Sequence, residues 1–129
     1  MSDSKIIKTD KVYLPNVSRE TLKELWDYSQ SILSTNKKIN LISSSTEKSI
    51  NKRHIYDSAQ SIEFIDKNDI KICTDLGSGA GLPSIVLGIL MKSKKQDFKL
   101  IFYEKSYHKS NFLVEMTKKF KLDLSLIHI

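Results

Sequence analysis

The segment at residues 75–84, DLGSGAGLPS, constrains this chain more than any other part of it. It joins a short apolar run to a longer apolar stretch, and it holds three of the four glycines in the 129-residue chain. Glycine lacks a Cβ, so its backbone adopts positive φ values easily and lets a ligand lie directly against the main chain. The flanking runs therefore predict a buried strand and a helix. The turn between them is predicted to need positive φ values or close contact with a ligand.

The hydrophobic pattern around this segment predicts an α/β fold with a parallel sheet. Short apolar runs predict strands at about 70–76, 98–104 and 122–129. Between them, residues 82–92 are apolar on nearly every side, and residues 106–120 begin with a serine that suits a helix cap. Strand, helix, strand, helix and strand in this order form right-handed βαβ units, which build a parallel sheet.

Two helices are predicted before the sheet. Apolar residues recur at helical spacing over about 18–35, with Ser18 as a candidate N-cap, and a second continuous helix is predicted over about 46–65. The residues that set the first spacing are Leu22, Leu25, Trp26, Ile32 and Leu33. We therefore divide the chain into an N-terminal helical extension, 1–66, and a sheet-containing segment, 67–129.

The composition limits the compartment and the partners. Lysine and arginine number 21 against 15 acidic residues, and the net charge of +6 favours a polyanion such as nucleic acid, although scattered lysines can also be a feature of composition alone. No apolar run approaches the roughly 20 residues of a membrane span, and the first residues lack the apolar core of a secretory signal. The single cysteine, Cys73, rules out an internal disulfide and a cysteine-based zinc site. We expect a cytoplasmic, monomeric protein without a metal.

The spacing of the glycines separates the possible ligands of the loop. A dinucleotide fingerprint, G-x-G-x-x-G, would need glycine where Leu82 stands, and the phosphate loop G-x-x-x-x-G-K-[ST] is absent. The pattern present is D-x-G-x-G-x-G, which resembles motif I of the class I S-adenosylmethionine-dependent methyltransferases. That cofactor carries a sulfonium and an ammonium and no phosphate. The acid that opens the loop suits such a cation, by direct contact or by bracing the loop.

A second acid, Glu104, ends the second predicted strand, in the position where Rossmann-like folds place a carboxylate on ribose hydroxyls. Together with the loop, it forms a coherent site for one adenosyl cofactor. We expect S-adenosylmethionine to contact Asp75, Gly77, Ser78, Gly79, Gly81, Leu82 and Glu104. The alternative from the residues alone is a tight strand–helix turn with two surface acids.

The segment NKRHIYDSAQS carries a histidine and an aspartate at helical spacing. On a helix, His54 lies near Asp57 and Ser58, three and four residues further along. Taken alone, this is a helix-surface His–Asp pair, and no nucleophile and base can be argued from it. The order of the sequence elements around this pair favours a functional role for it.

Four short elements occur in an order that resembles the glucose-inhibited division protein B family, also called GidB or RsmG. They are Asn40-Leu41, Arg53-His54 with Asp57-Ser58, the loop at 77–83, and Lys109 with Phe112-Leu113. The resemblance implies a Rossmann-like class I methyltransferase fold that uses S-adenosylmethionine to methylate guanine N7 in 16S small-subunit ribosomal RNA. It implies ribosomal RNA or the small subunit as partner, with substrate-side residues Arg53, His54, Asp57, Lys105 and Lys109. Guanine N7 attacks with its own lone pair, so no catalytic residue is assigned.

The chain departs from the family pattern at Leu82 and Ser84, where an aromatic residue and a glycine are usual. We expect Leu82 to soften a packing contact and Ser84 to cap the following helix. The family continues through several more strands, so only the first half of its sheet is expected here, with an open edge and an exposed apolar face. A nicotinamide-dependent oxidoreductase and a non-catalytic RNA-binding fragment are the alternative functions.

Overall fold

The structure is a computed structural model, and it describes residue 14, residues 16–77 and residues 79–128. Most of the first fifteen residues of the predicted extension, and the candidate cofactor residue Ser78, lie outside that part. The first described helix, α1, spans Arg19–Asn36 and begins where Ser18 accepts a hydrogen bond from the backbone N–H of Thr21 at 3.1 Å. This confirms the first predicted helix and its cap.

The prediction of one continuous helix over 46–65 is wrong. The segment consists of a 3₁₀ turn, a π-helical turn and two short helices: Ser44–Ser49, Asn51–Tyr56, α2 at Asp57–Ala59 and α3 at Ile62–Lys67. Hydroxyl side chains compete with the helix at its start, because Thr46 Oγ1 donates to the Ser43 carbonyl at 2.9 Å. The π-helical turn, whose hydrogen bonds join residues five apart, lets Ile50 and Ile55 both point into the core.

The sheet has the predicted parallel βαβ arrangement. Its described strands are β1 at Ile72–Leu76, β2 at Lys99–Glu104 and β3 at Asp123–His128, in the order β1-β2-β3. The helices α4 at Ser84–Ser93 and α5 at Tyr107–Lys119 connect them. The described strands and helices have the α/β arrangement expected of the first half of a Rossmann-like sheet.

One face of the sheet is covered and the other is bare in the described part of the chain. On the covered face of the central strand, Leu100 and Phe102 are fully buried. On the opposite face, Ile72 is 55% exposed, Leu76 is 76% exposed and Ile127 is 40% exposed. The exposed apolar face predicted for a half sheet is therefore present.

The helical extension and the sheet share one hydrophobic core. The apolar stripe of α1 joins the inner faces of β2, α4 and α5 in a single cluster. Its fully buried members include Leu25, Tyr28, Ile32, Ile85, Leu100, Phe102 and Leu113. The division of the chain at residue 66 stays a prediction, but the described residues on its two sides pack as one body.

We predict that Phe102→Ala lowers the free energy of unfolding by about 3–5 kcal/mol, because it removes a fully buried ring from the central strand and leaves a cavity. The matched control is Phe64→Ala on α3, whose ring is 63% exposed, and it should change stability by less than about 0.5 kcal/mol. Denaturant unfolding of both variants checks this. Equal losses would contradict the assignment of the core.

Candidate functional site

The candidate site lies at the carboxyl edge of the sheet. The glycine loop connects β1 to α4 there, and Glu104 ends the adjacent strand β2. The backbone N–H of Gly77 donates to the Tyr103 carbonyl at 2.7 Å, which fixes the start of the loop against β2. Ligands of open α/β sheets bind at this edge, outside the ends of the strands.

Gly77 presents bare backbone to open space. Its φ is +65°, a conformation that L side chains rarely adopt, and a Cβ built on it would have no atom within 4 Å. No packing contact within the described part of the chain therefore requires glycine at this position. The conformation and the open space together make Gly77 the part of the loop best suited to ligand contact.

Gly81 has a different task. A Cβ on it would lie 2.5 Å from Ile85 Cγ1 and 3.0 Å from Leu113 Cδ2, so glycine is needed for α4 and α5 to approach each other. The carbonyl of Gly81 also accepts from the Ile85 N–H at 2.7 Å as α4 begins. The two glycines, which have the same predicted role, therefore differ in their surroundings. Gly77 faces open space, whereas Gly81 lies in a packed contact that leaves no room for a Cβ.

Glu104 joins the loop to the start of α5. Its side chain is buried, with Oε1 accepting from the Gly79 N–H at 3.3 Å and Oε2 from the Ser106 N–H at 2.9 Å. Burial raises the pKa of Glu104, but these backbone bonds and the Lys109 charge outweigh it, so the net pKa is lowered. Each oxygen of an ionised carboxylate has two acceptor positions, which leaves capacity for a ligand hydroxyl.

Asp75, at the end of β1, is held by the first residue of α4. The Ser84 hydroxyl donates to Asp75 Oδ2 at 2.6 Å, and Cys73 Sγ lies 3.4 Å from the same hydroxyl. Burial raises the pKa of Asp75, the Ser84 bond lowers it, and the Glu104 charge raises it further, with a net increase. The prediction that Ser84 caps α4 is wrong: Pro83 occupies the cap position, and the buried Ser84 hydroxyl points at Asp75.

The other residues near this edge occupy varied positions. Leu82 is half-buried and packs against the main core, and its predicted contact with a cofactor stays a prediction. Lys105 follows Glu104 directly and is exposed. Lys109, in the first turn of α5, lies near enough to Glu104 for its charge to lower the pKa of that acid. Two predicted substrate-side residues thus adjoin the predicted cofactor site.

The predicted group at residues 53–57 forms a cluster on the π-helical turn and α2. His54 Nε2 lies 2.9 Å from Thr46 Oγ1, while Arg53 and Asp57 are exposed. Burial lowers the pKa of His54, the Asp57 charge opposes this and the Arg53 charge adds to it, and the net effect is a lower pKa. The charges of Asp57 and Arg53 therefore lie near enough to His54 to affect its pKa. Their role toward a substrate stays a prediction.

The sequence reading missed Tyr28, which touches the loop directly. Its hydroxyl donates to the Ala80 carbonyl at 2.6 Å, between residues that are both buried. A signal for this was available, because a tyrosine on a buried stripe needs a partner for its hydroxyl. What the sequence does not contain is the identity of that partner, which lies 52 positions away.

The described residues hold neither a metal-binding cluster nor a membrane-spanning helix. No three His, Cys, Asp or Glu side chains there come together as a metal site requires. No helix in the same ranges combines the length and the apolar character needed to cross a membrane.

Comparison with known proteins places the chain beside a family of ribosomal RNA methyltransferases. The family model described as GidB, rRNA small subunit methyltransferase G, matches residues 21–129. The Ribosomal RNA small subunit methyltransferase G of Pelagibacter ubique is 46% identical over 114 residues, covering 87% of this chain and 53% of that protein. The protein of the same name from Bartonella henselae is 48% identical over 82 residues, covering 64% and 37%. The chain spans about half the length of the curated relatives it matches.

We predict that Gly81→Ala lowers the free energy of unfolding by about 2–5 kcal/mol, the sum of the strain of a positive φ and of an overpacked contact. Gly77→Ala is the matched control, since it carries the same backbone strain without a clash, and it should cost about 1–2 kcal/mol. Denaturant unfolding of the two variants measures the difference. Equal costs would show that Ile85 and Leu113 move aside freely.

Proposed function

Because the chain belongs to the rRNA small subunit methyltransferase G family, also called GidB, we propose that it binds S-adenosylmethionine and acts in methyl transfer to guanine N7 of 16S small-subunit ribosomal RNA. The observation that carries the proposal is the bare backbone of Gly77, which lies at the same sheet edge as the carboxylates of Asp75 and Glu104. The chain spans about half the length of its relatives, so the activity, substrate and partner of the whole protein are part of the proposal.

The chemistry of the edge fits a cationic adenosyl cofactor. The open space beside Gly77 admits a ligand against the main chain, Asp75 offers a half-buried negative charge, and Glu104 offers acceptor positions for hydroxyls. S-adenosylmethionine, when bound, supplies an activated methyl group on a positively charged sulfur. A phosphate-bearing dinucleotide would instead add negative charge beside two acids.

The residues at this site act by positioning. Guanine N7 carries a lone pair on the base edge, and it attacks without first losing a proton, so the chain needs no general base for the step. Its contribution is to hold the reacting groups in line and to exclude water around them. We therefore assign no catalytic residue, and we assign orientation of the cofactor to Gly77, Asp75 and Glu104.

The substrate side of the proposal rests on charge and placement. The exposed Lys105 and the half-buried Lys109 flank Glu104 at the sheet edge, where they can approach RNA phosphates near the cofactor. The cluster of Arg53, His54 and Asp57 supplies a second polar group on the substrate side. The net charge of +6 favours such a partner. We propose a monomer that acts on the small ribosomal subunit in the cytoplasm.

Calorimetric titration with S-adenosylhomocysteine tests cofactor binding. We predict that the chain binds S-adenosylhomocysteine and not NAD, and that Gly77→Ala weakens the affinity at least about ten-fold, because a Cβ enters the space of the ligand. Thr74→Ala, exposed on the bare face of β1, is the control and should bind like the unaltered chain. NAD binding without S-adenosylhomocysteine binding would overturn the proposal and favour the nicotinamide-dependent alternative.

A methyl-transfer assay on unmodified small ribosomal subunits completes this test. The proposal expects label from the cofactor in 16S ribosomal RNA, at the N7 atom of a guanine. RNA binding without transfer, by a chain that binds the cofactor, would support the non-catalytic fragment.

The ionisation of Asp75 should control the pH dependence of binding. An ionised Asp75 attracts the ligand ammonium, so affinity should fall as the pH drops through the pKa of Asp75, which lies above its ordinary value. Ser84→Ala removes the bond that lowers this pKa, so affinity should be lost at a higher pH than in the unaltered chain. Titrations over the acid range measure this midpoint.

Two variants control the pH experiment. Ser93→Ala, at the other end of α4, removes a hydroxyl that donates to the Leu90 carbonyl of the same helix, and it should leave the midpoint unchanged. Asp75→Asn should remove the pH dependence that belongs to Asp75. A midpoint that is the same in Ser84→Ala and the unaltered chain would show that Asp75 does not govern binding.

A further inference from the structure

The first helix of the chain reaches the glycine loop through one buried hydrogen bond. The Tyr28 hydroxyl donates to the Ala80 carbonyl at 2.6 Å, and the tyrosine is fully buried while Ala80 is 2% exposed. The residue before Ala80 is also fixed, because the Gly79 N–H donates to Glu104 at 3.3 Å. Tyr28 and Glu104 therefore hold two neighbouring residues of the loop, one through a carbonyl and one through an amide.

A second contact runs from the end of α1 to the same part of the loop. The Leu41 carbonyl lies 3.8 Å from the position of a Cβ on Gly79, so the turn after α1 forms a wall beside the loop. Asn36, the last residue of α1, holds that turn: its Oδ1 accepts from the N–H groups of Leu41 at 2.7 Å and Ile42 at 3.0 Å. Its Nδ2 donates to Glu47 Oε1 at 2.8 Å.

From these contacts we infer that α1 positions the cofactor loop, with Tyr28 and Asn36 as positioning residues that fix the backbone around Gly79 and Ala80. The inference rests on the proposed function, since it assigns α1 a part in cofactor affinity. The side of the loop at Gly77 is open to a ligand, and the part at Gly79 and Ala80 is held by α1. Because the backbone at Gly79 and Ala80 is rigid, the neighbouring backbone at Gly77 is already ordered before a ligand binds. The entropy cost of binding is therefore smaller.

The tyrosine is suited to this task by its surroundings. Burial, and then the nearby Asp75 charge, raise the pKa of Tyr28 well above its ordinary value, so the hydroxyl keeps the proton that it donates. Its ring packs edge-on against Phe120, with centroids 6.3 Å apart. Phenylalanine would keep this ring contact while leaving the Ala80 carbonyl buried without its donor, and the carbonyl would then turn toward another partner.

A purely structural role for the hydroxyl predicts a different result. In that case, Tyr28→Phe would lower stability and leave ligand affinity unchanged once both chains are folded. Ser29→Ala provides the matched control, because Ser29 is the next residue of α1, is also fully buried, and donates only to the Trp26 carbonyl of the same helix.

The experiment measures S-adenosylhomocysteine affinity by calorimetry, well below the unfolding temperature of each variant. We expect Tyr28→Phe to weaken binding about five- to ten-fold, and Ser29→Ala to stay within about two-fold of the unaltered chain. Equal affinity of Tyr28→Phe and the unaltered chain would overturn the inference. If Tyr28→Phe does not fold, Asn36→Leu takes its place: it should weaken binding, while Glu47→Gln, which leaves both hydrogen bonds accepted by Asn36 Oδ1 in place, should stay within about two-fold of the unaltered chain. Equal affinity of Asn36→Leu and the unaltered chain would then overturn the inference.

Hydrogen exchange without ligand separates this inference from the proposed function. Faster exchange of the Gly79 and Ile85 amides, which donate to Glu104 and to the Gly81 carbonyl, with unchanged exchange in β2 of Tyr28→Phe, would show that α1 orders the loop. An unaltered chain that fails to bind S-adenosylhomocysteine would refute the proposed function, whereas unchanged loop exchange in Tyr28→Phe would refute the positioning role.

Discussion

One buried carboxylate holds the carboxyl edge of this sheet together. Glu104 accepts hydrogen bonds from the amides of Gly79 and Ser106, so the end of β2, the glycine loop and the start of α5 depend on the same side chain. A carboxylate is stable out of water only when such bonds compensate for its lost hydration. Here they do more than compensate, because the pKa of Glu104 is lowered in spite of burial. The conformation of the loop, and with it the open backbone at Gly77, depends on this arrangement.

Much of the fold could be predicted from the sequence, because short apolar runs and longer apolar stretches alternate along the sheet segment, with polar turns between them. The segment at 44–67 could not, since its turns are shorter than the window in which a period is visible. There, hydroxyl groups such as Thr46 bond the backbone locally, and Ile50 and Ile55 are buried five residues apart, a spacing that does not fall on one face of an α-helix. Tertiary burial, rather than local propensity, decides the shape of such a segment.

The sequence indicates which residues belong to the candidate site, but it does not indicate what each of them contacts. Gly77 and Gly81 are identical in sequence, and only the neighbours that the fold supplies show that one faces open space and the other a packed contact. Ser84 looked like a helix cap, yet its hydroxyl bonds Asp75 because burial leaves it no water to bind. Tyr28 was invisible as a loop contact, since its partner is a backbone carbonyl distant in sequence.

The pKa values of the two acids at this edge are shifted in opposite directions, lowered for Glu104 and raised for Asp75. This difference affects which ligand charge the edge can accommodate. Glu104 ionises readily because backbone amides hold it. Its negative charge opposes the ionisation of Asp75 and contributes to the raised pKa of that acid. A cation bound beside both would relieve the repulsion, so its binding and the ionisation of Asp75 favour each other by linkage. A neutral ligand gains nothing from this coupling, and an anionic group placed beside both acids works against it.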